Sequence, residues 1–217
     1  MNTYFPVDLV LFGMIAAFLV LRLRSILGRR TGFERTAQPL RPAADGPIIE
    51  ARPEQPAAPA TTRPLPDPGS PAGMALAAMS AKDRNFSAGA FLDGAEKAFR
   101  IIVTAFAETD RARLRPLLGD DLYNAFDHAI AERERNGERQ HLEVRAVPAA
   151  SIEAASLQGN HASITVKFVS DQVSYTTKDG HVTSGNEAVT ELTDIWTFER
   201  DLNSRDPTWK LIAARVG

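Results

Sequence analysis

The sequence predicts an α+β domain in residues 74–217, with N-terminal helices packed on one face of a curved antiparallel sheet. Apolar residues recur at helical spacing in the first half of this region and alternate with polar residues in the second half. All helical patterns come before all strand patterns, which is typical of α+β domains. Because a bent sheet closed by helices forms a cone with an apolar interior, we expect a pocket inside it.

Two apolar stripes predict the main helices. The first covers residues 91–106, with Ser87 as its N-cap, and the second covers residues 122–130, with Asp120 as its N-cap. A short helix capped by Asp110 is expected between them. The stripe residues are Phe91, Ala95, Phe99, Ile102, Val103 and Phe106, and then Leu122, Tyr123, Phe126, Ala129 and Ile130.

Alternating apolar and polar residues predict the strands of the second half. The alternation slips out of phase after Phe168, which predicts a bulge or sharp bend there. A turn is expected at Lys178-Asp179-Gly180. The strand segments are residues 142–146, 162–168, 192–198 and 209–213.

A membrane anchor is predicted in residues 1–24. The continuous apolar core has 13 residues, and with its flanks the stretch approaches the roughly 20 residues that a membrane-spanning helix needs. A cleaved signal peptide is the weaker alternative, because no basic residue precedes the core and no small-residue cleavage site follows it. The predicted spanning residues are Leu9, Val10, Leu11, Phe12, Gly13, Met14, Ile15, Ala16, Ala17, Phe18, Leu19, Val20 and Leu21.

The charges around the anchor predict its orientation. The basic residues follow the apolar core, at Arg22, Arg24, Arg29 and Arg30. The positive-inside rule then places the N-terminus outside and the rest of the chain in the cytoplasm. We therefore expect a single-pass protein of the bacterial inner membrane.

Residues 25–73 are predicted to form a disordered linker that is basic first and then rich in proline. Ten of the 14 prolines lie in residues 39–71, and proline disfavours both helices and central strands. Fully extended, these 33 residues reach roughly 100 Å. The repeat of Pro53, Pro56 and Pro59 also fits a proline-recognition ligand, but plain spacing is the favoured interpretation because such tracts are common in linkers. Residues 74–79, which follow the linker, fit either a small amphipathic surface anchor or a poorly ordered lead-in.

Composition excludes several classes of protein. The balance of 25 Lys+Arg against 27 Asp+Glu argues against a nucleic-acid partner. The absence of cysteine excludes disulfides and thiolate metal sites. The four histidines lack metal-ligand spacing, and no phosphate-binding or nucleophile-elbow motif occurs. We therefore predict no catalytic, cofactor-binding or metal-binding residues.

Asp194 is the residue most suggestive of chemistry, because it shares strand parity with Leu192, Trp196 and Phe198. Burial would raise the pKa of its carboxyl and suit a general base, but pairing with Arg200 or an arginine of a neighbouring strand is the simpler expectation. The residues expected to line the pocket, or else to form ordinary core, are Phe99, Val103, Phe106, Tyr123, Phe126, Ile164, Val166, Phe168, Asp194, Trp196 and Phe198.

Three stretches of the head resemble the Tim44-like domain family. They are residues 91–130, residues 162–186 and residues 194–214, the last reading DIWTFERDLNSRDPTWKLIAA. The founding member is the matrix-side anchor subunit of the mitochondrial presequence translocase, which tethers a heat-shock-seventy chaperone. This sequence has a predicted span where mitochondrial members carry a presequence and a chaperone-binding region. The order of span, tether and head is similar to that of bacterial, TimA-type members, which are described as adaptors.

The resemblance implies a cone-shaped fold similar to nuclear-transport-factor-two-like domains, with a hydrophobic cavity for lipid or an apolar segment. Two functions follow as hypotheses. The first is a membrane-anchored, non-enzymatic adaptor that binds an unidentified protein partner or lipid at the inner membrane. This hypothesis includes a link to protein translocation. The second is a small-cone enzyme that acts on an apolar small molecule, with Asp194 as general base and Tyr123 or a histidine assisting.

Overall fold

The computed structural model describes residues 63–217. The predicted anchor and the linker up to residue 62 lie outside the described residues. Within residues 63–217, no helix has the length and apolarity needed to cross a bilayer. The helices are α1 Pro71–Lys82, α2 Ala88–Ala107, α3 Arg111–Leu114 and α4 Asp120–Arg135, and the strands are β1 Glu138–Gln158, β2 His161–Lys178, β3 His181–Asp201 and β4 Lys210–Val216.

Helix N-caps follow the predicted pattern at two of three positions. Ser87 caps α2 by accepting a hydrogen bond from the amide of Ala90, and Asp110 caps α3 in the same way. Asp120 is not a cap, because α4 begins there and Gly119 holds the cap position without a side-chain bond. The Gly119 amide instead donates to the carbonyl of Leu211 on β4 at 2.8 Å. A tertiary bond therefore fixes the start of α4.

Residues 74–79, for which a surface anchor and a poorly ordered lead-in are the predicted alternatives, lie in helix α1. Ser70 caps it, and a proline begins it at Pro71, where a missing amide donor does no harm. Leu76 and Met79 are buried, and α1 packs on β1. This segment is therefore part of the head rather than a surface anchor or a poorly ordered lead-in.

The strands form one antiparallel sheet in the order β1-β2-β3-β4. Helices pack against this curved sheet, which confirms the α+β architecture. The buried inner face of β2 continues without a slip from Ala162 to Gln172. Near Phe168 the extra residue lies in the partner strand, because Ala146 pairs with Asp171 whereas Ala149 pairs with Val169.

A bulge therefore lies next to Phe168, as predicted, but in β1 rather than in β2. Two polar residues, Ser170 and Gln172, continue the inner face of β2 and are fully buried, at 0% and 1% exposure. A hydrophobicity pattern cannot recognise them as inward-facing. The bend belongs to β1 around Pro148, which suits a bulge because proline has no amide to donate to the ladder.

Candidate binding cleft

Most of the predicted pocket residues form the packed core between α2 and the sheet. Phe99 stacks on Phe168 with ring centroids 4.7 Å apart and lies 4.8 Å from the indole of Trp196. Between α2 and α4, the rings of Phe106 and Phe126 are 4.7 Å apart. Val103, Ile164 and Val166 are also buried in this core. A ligand cavity lined by these residues stays a prediction.

Tyr123 occupies a more exposed position than the rest of the set. It is half-buried on α4, and the guanidinium of Arg115 lies 4.8 Å from its ring centroid. The same guanidinium forms an ion pair with Asp120 at 2.7 Å. Tyr123 therefore joins the α3–α4 connection to α4.

Asp194 lies on the inner face of β3, directly opposite Phe168 in the register, and is 2% exposed. Arg200, one of the suggested partners, forms an ion pair with Asp83 at 3.1 Å. The indole nitrogen of Trp196, two residues beyond Asp194, is buried and has no acceptor within residues 63–217.

A separate cleft of about 690 Å³ opens beside the core, a volume typical of small-ligand and peptide sites. Three segments build it: the α1–α2 connection, the first half of α2, and the end of β3 with the β3–β4 loop. Leu117 lines one side of the cleft. It is held to β4 because its carbonyl accepts a hydrogen bond from the amide of Leu211 at 2.8 Å. Of the predicted pocket residues, Phe198 lines this cleft.

Four aromatic side chains form the floor of the cleft. Phe91 is central, with its ring centroid 4.8 Å from Trp209 and 5.9 Å from Phe198. Phe86 completes the cluster at 5.8 Å from Trp209. Edge-to-face and tilted rings at these distances attract one another, which gives the cleft a rigid apolar base.

The rim of the cleft is positively charged. One carboxylate lines the cleft, that of Asp83, together with four cationic side chains, those of Lys82, Arg84, Arg200 and Arg205. This excess of positive charge is local, because residues 74–217 contain 17 Lys+Arg against 21 Asp+Glu.

Two rim cations already have protein partners. Lys82 donates to the carbonyl of Gly159 and to the side chain of Asn160 in the β1–β2 turn, the latter at 2.7 Å. Arg200 pairs with Asp83, and both side chains are 13% exposed. Within residues 63–217, Asp83–Arg200 is the one ion pair among the lining side chains, so Arg84 and Arg205 remain available to a ligand.

Arg200 also carries a buried donor without a protein acceptor. Its Nε has no hydrogen-bond partner within residues 63–217. Leaving such a donor unsatisfied is unfavourable by about 1–3 kcal/mol.

The β3–β4 loop is held by short-range hydrogen bonds to carboxylates. Asp206 accepts a hydrogen bond from the amide of Thr208 at 2.9 Å. Hydrogen bonding to Thr208 also lowers the pKa of the Asp206 carboxyl. Asp206 is thereby bound to its own loop, next to Pro207 and Trp209 of the cleft wall.

Little of this cleft is predicted by the sequence. Phe91 belongs to a predicted helix stripe and Trp209 to a predicted strand, but no local pattern shows that they meet. The one available signal is the concentration of aromatic and basic residues in positions 196–210.

Comparison with known proteins identifies the domain. Residues 72–216 match the model of the Tim44-like domain. No curated protein shows significant sequence similarity to the chain.

Three solved structures match part of the chain at low identity. The intermembrane space region of chloroplast protein ARC6 is 14% identical, with 58% of this chain and 95% of that chain covered and a TM-score of 0.43. A de novo β-sheet design protein is 16% identical, with 58% and 86% covered and a TM-score of 0.27. A chain named Rd1NTF2_05 is 11% identical, with 58% and 97% covered and a TM-score of 0.29.

These three TM-scores are too low to support a functional conclusion. The family match, by contrast, runs from α1 to β4 and confirms the resemblance seen in the three sequence stretches. The chain belongs to the Tim44-like domain family.

Proposed function

We propose that this protein is a membrane-anchored adaptor, and that its head binds partners through the cleft between α2 and the β3–β4 loop. The ligand class that fits is an apolar segment or lipid-like group that also carries a carboxylate or other anion. Aromatic rings would receive the apolar part, and the cationic rim would receive the charge. Membership of the Tim44-like family supports a role at a membrane.

The observation that carries this proposal is the combination of an aromatic floor with a rim that has more cations than anions. Apolar pockets with a few convergent polar or charged groups are typical of binding sites.

The predicted anchor supplies the location in this proposal. A single span at residues 9–21 would hold the head on the cytoplasmic side of the bacterial inner membrane. Tethering raises the effective concentration of a bound partner near the bilayer, up to the millimolar range for short flexible links. Deleting residues 1–24 should then preserve binding in the cleft but abolish recovery of the partner with membranes.

The test is photo-cross-linking in native membranes from a photoreactive amino acid placed at Ser204. The Arg205→Glu variant reverses one exposed rim charge and should reduce the cross-linked products about fivefold, which corresponds to about 1 kcal/mol. Arg135→Glu is the matched control, because Arg135 is exposed at the far end of α4. An unchanged product pattern in Arg205→Glu would exclude the cleft as the binding site.

The burial of Asp194 leaves enzymatic activity as a second candidate. A carboxyl at 2% exposure on the inner face of the sheet has the environment in which general bases are found. Asp194→Asn retains the shape of the side chain but removes its basicity. An enzyme would lose turnover of an apolar substrate in this variant and keep its binding, whereas an adaptor would show no turnover in either form.

A further inference from the structure

The wall that α2 contributes to the cleft carries a stripe of small residues. Ala90, Gly94 and Ala98 all line the cleft, and their spacing of four residues places them on one face of the helix. Ala90 and Gly94 are exposed, and Ala98 is half-buried. This small-residue stripe runs beside the ring of Phe91, so the aromatic floor of the cleft meets a shallow wall in which the helix backbone is accessible.

The fold itself does not require a glycine at position 94. Gly94 lies in the interior of α2, and a Cβ atom added to it would meet no other atom of the described chain within 4 Å. Glycine in a helix interior is less favourable than alanine. The glycine is explained if another molecule approaches the helix backbone closely at this point, which is how helices pack across small residues.

The strands beside the cleft offer little free edge to an extended peptide. Within residues 63–217, β3 is paired with β2 as far as Asp201 and with β4 as far as Glu199. The outer edge of β4 is occupied at Leu211, which bonds to Leu117 and Gly119 through its amide and its carbonyl. An extended segment would therefore find few backbone partners in the cleft. A helix needs none, because its amides and carbonyls bond to each other.

The dimensions of the cleft also suit a helix. The lining part of α2, from Ser87 to Ala98, is about 17 Å long, or about three helical turns. A helix of about 10 Å diameter, sunk to half its depth along this length, displaces about 670 Å³. The cleft has a volume of about 690 Å³. Beyond Ala98, Ile101 continues the same face of α2 and is 44% exposed, which extends the apolar track by one turn.

We propose that the occupant of the cleft is an amphipathic helix of a partner protein, with large apolar residues on one face and acidic residues beside them. The apolar face packs on the aromatic floor and against the small-residue stripe. The acidic residues pair with Arg84 and Arg205, because four cations and one carboxylate line the cleft. This inference rests on the proposed function of the cleft and names the chemistry of the partner.

The test is photo-cross-linking of synthetic peptides to the full-length protein in phosphatidylcholine nanodiscs, from a photoreactive amino acid at Ser204. Two peptides of about 18 residues have the same content of leucine, glutamate and glutamine. In one peptide the leucines have helical spacing, and in the other they alternate with polar residues as in a strand. The helical peptide should give about tenfold more adduct at equal concentration. Equal yields from the two peptides would overturn the proposal.

A pair of glycine variants tests the contact with α2. Gly94→Leu fills the small-residue stripe and should reduce the adduct of the helical peptide about tenfold. Gly89→Leu is the matched control, because a Cβ at Gly89 also meets no described atom within 4 Å, whereas Gly89 does not line the cleft. Both variants should unfold at or above the native temperature, since leucine favours a helix more than glycine does. An undiminished yield in Gly94→Leu, or an equal loss in both variants, would contradict a helix on this wall.

Cross-linking in native membranes separates this proposal from the adaptor function. If Arg205→Glu reduces the protein adducts and Gly94→Leu does not, the cleft binds partners that are not helical, and the helix proposal alone fails. If neither variant changes the adducts, partners bind elsewhere and the proposed function of the cleft fails as well. Adducts that contain only lipid would overturn the helix and leave the cleft as a ligand site. A loss of protein adducts in both variants, with Gly89→Leu unchanged, is the expected result.

Discussion

Phe99 joins the helical layer to the sheet through a single side chain. It is fully buried at 0% exposure, and its ring lies against both Phe168 of β2 and Trp196 of β3. Two strands and one helix therefore share the same aromatic contact. Truncating this side chain would remove two ring contacts at once and leave a cavity that its neighbours cannot fill.

We expect Phe99→Ala to lower the free energy of unfolding by about 3–5 kcal/mol. Chemical denaturation of the full-length protein in detergent micelles, followed by tryptophan fluorescence, measures this change. Ile101→Ala is the control, because Ile101 is 44% exposed on the same helix and should change stability by about 0.5 kcal/mol or less. A similar loss in both variants would contradict the central position of Phe99.

The β2–β3 hairpin depends on glycines with positive φ angles. Gly185 has φ 78°, and a Cβ at this position would lie 2.3 Å from the carbonyl oxygen of Ser174. Gly180 in the turn has φ 80°, but a Cβ there meets no atom within 4 Å. A side chain would strain the backbone at both positions, but only Gly185 lacks room for a Cβ atom.

We therefore expect Gly180→Ala to destabilise the hairpin by about 1–2 kcal/mol through backbone strain alone. Gly185→Ala should destabilise the hairpin more, by over about 3 kcal/mol, because the clash with Ser174 adds to the same backbone strain. Hydrogen exchange of the amides of β3 compares the two variants. Equal exchange rates would show that β3 moves to accept the extra methyl group.

Helix α4 is held to α3 by one arginine. Arg111 donates to both carboxylate oxygens of Glu134 at 2.9 Å and also pairs with Asp127. The hydrogen bond from Arg111 lowers the pKa of the Glu134 carboxyl below its ordinary value. The folded protein therefore binds fewer protons at this site than the unfolded chain does.

The sign of the pH effect follows from this pKa shift. Glu134 contributes stability above its ordinary carboxyl pKa and loses that contribution as the pH falls through the lowered value. Glu134→Gln should thus be less stable than the native protein near pH 7, and the difference should shrink toward pH 3. Thermal unfolding of both proteins between pH 3 and pH 7 measures this difference. Glu132→Gln on the same helix is the control. A difference that is independent of pH would exclude the ion pair as its cause.

The helices and the alternating strands could be predicted because local periodicity reports which face of an element is buried. The burial of Ser170 and Gln172 could not, since polar residues on an inner face look like solvent-facing ones. The cap of α4 depends on the Gly119 amide bond to Leu211, which lies 92 residues away in sequence. The cleft could not be predicted for the same reason, because it is assembled from the α1–α2 connection, α2 and the end of β3 with the β3–β4 loop, which are distant along the chain.

At the scale of the whole molecule, two residues of the predicted linker lie against the helices of the head. Arg63 is tied to α2, and Ser70 begins α1 as its cap. We expect the predicted tether then to comprise residues 39–62. Extended at about 3.1 Å per residue, it would reach about 75 Å rather than about 100 Å. In this hypothesis the attachment of Arg63 sets how far the head can move from its predicted anchor.

Removing this attachment should release the chain ahead of α1. Glu96 is 8% exposed and lies between Arg63 and Arg100, so Arg63→Ala leaves it with one cationic partner. An exposed ion pair is worth up to about 1 kcal/mol, which corresponds to about fivefold faster exchange of the Gly69 and Ser70 amides. Lys97→Ala, on the exposed side of the same helix, should leave these rates unchanged. Unchanged exchange in Arg63→Ala would mean that the Ser70 cap alone holds the start of the head. The predicted tether length would then return to about 100 Å.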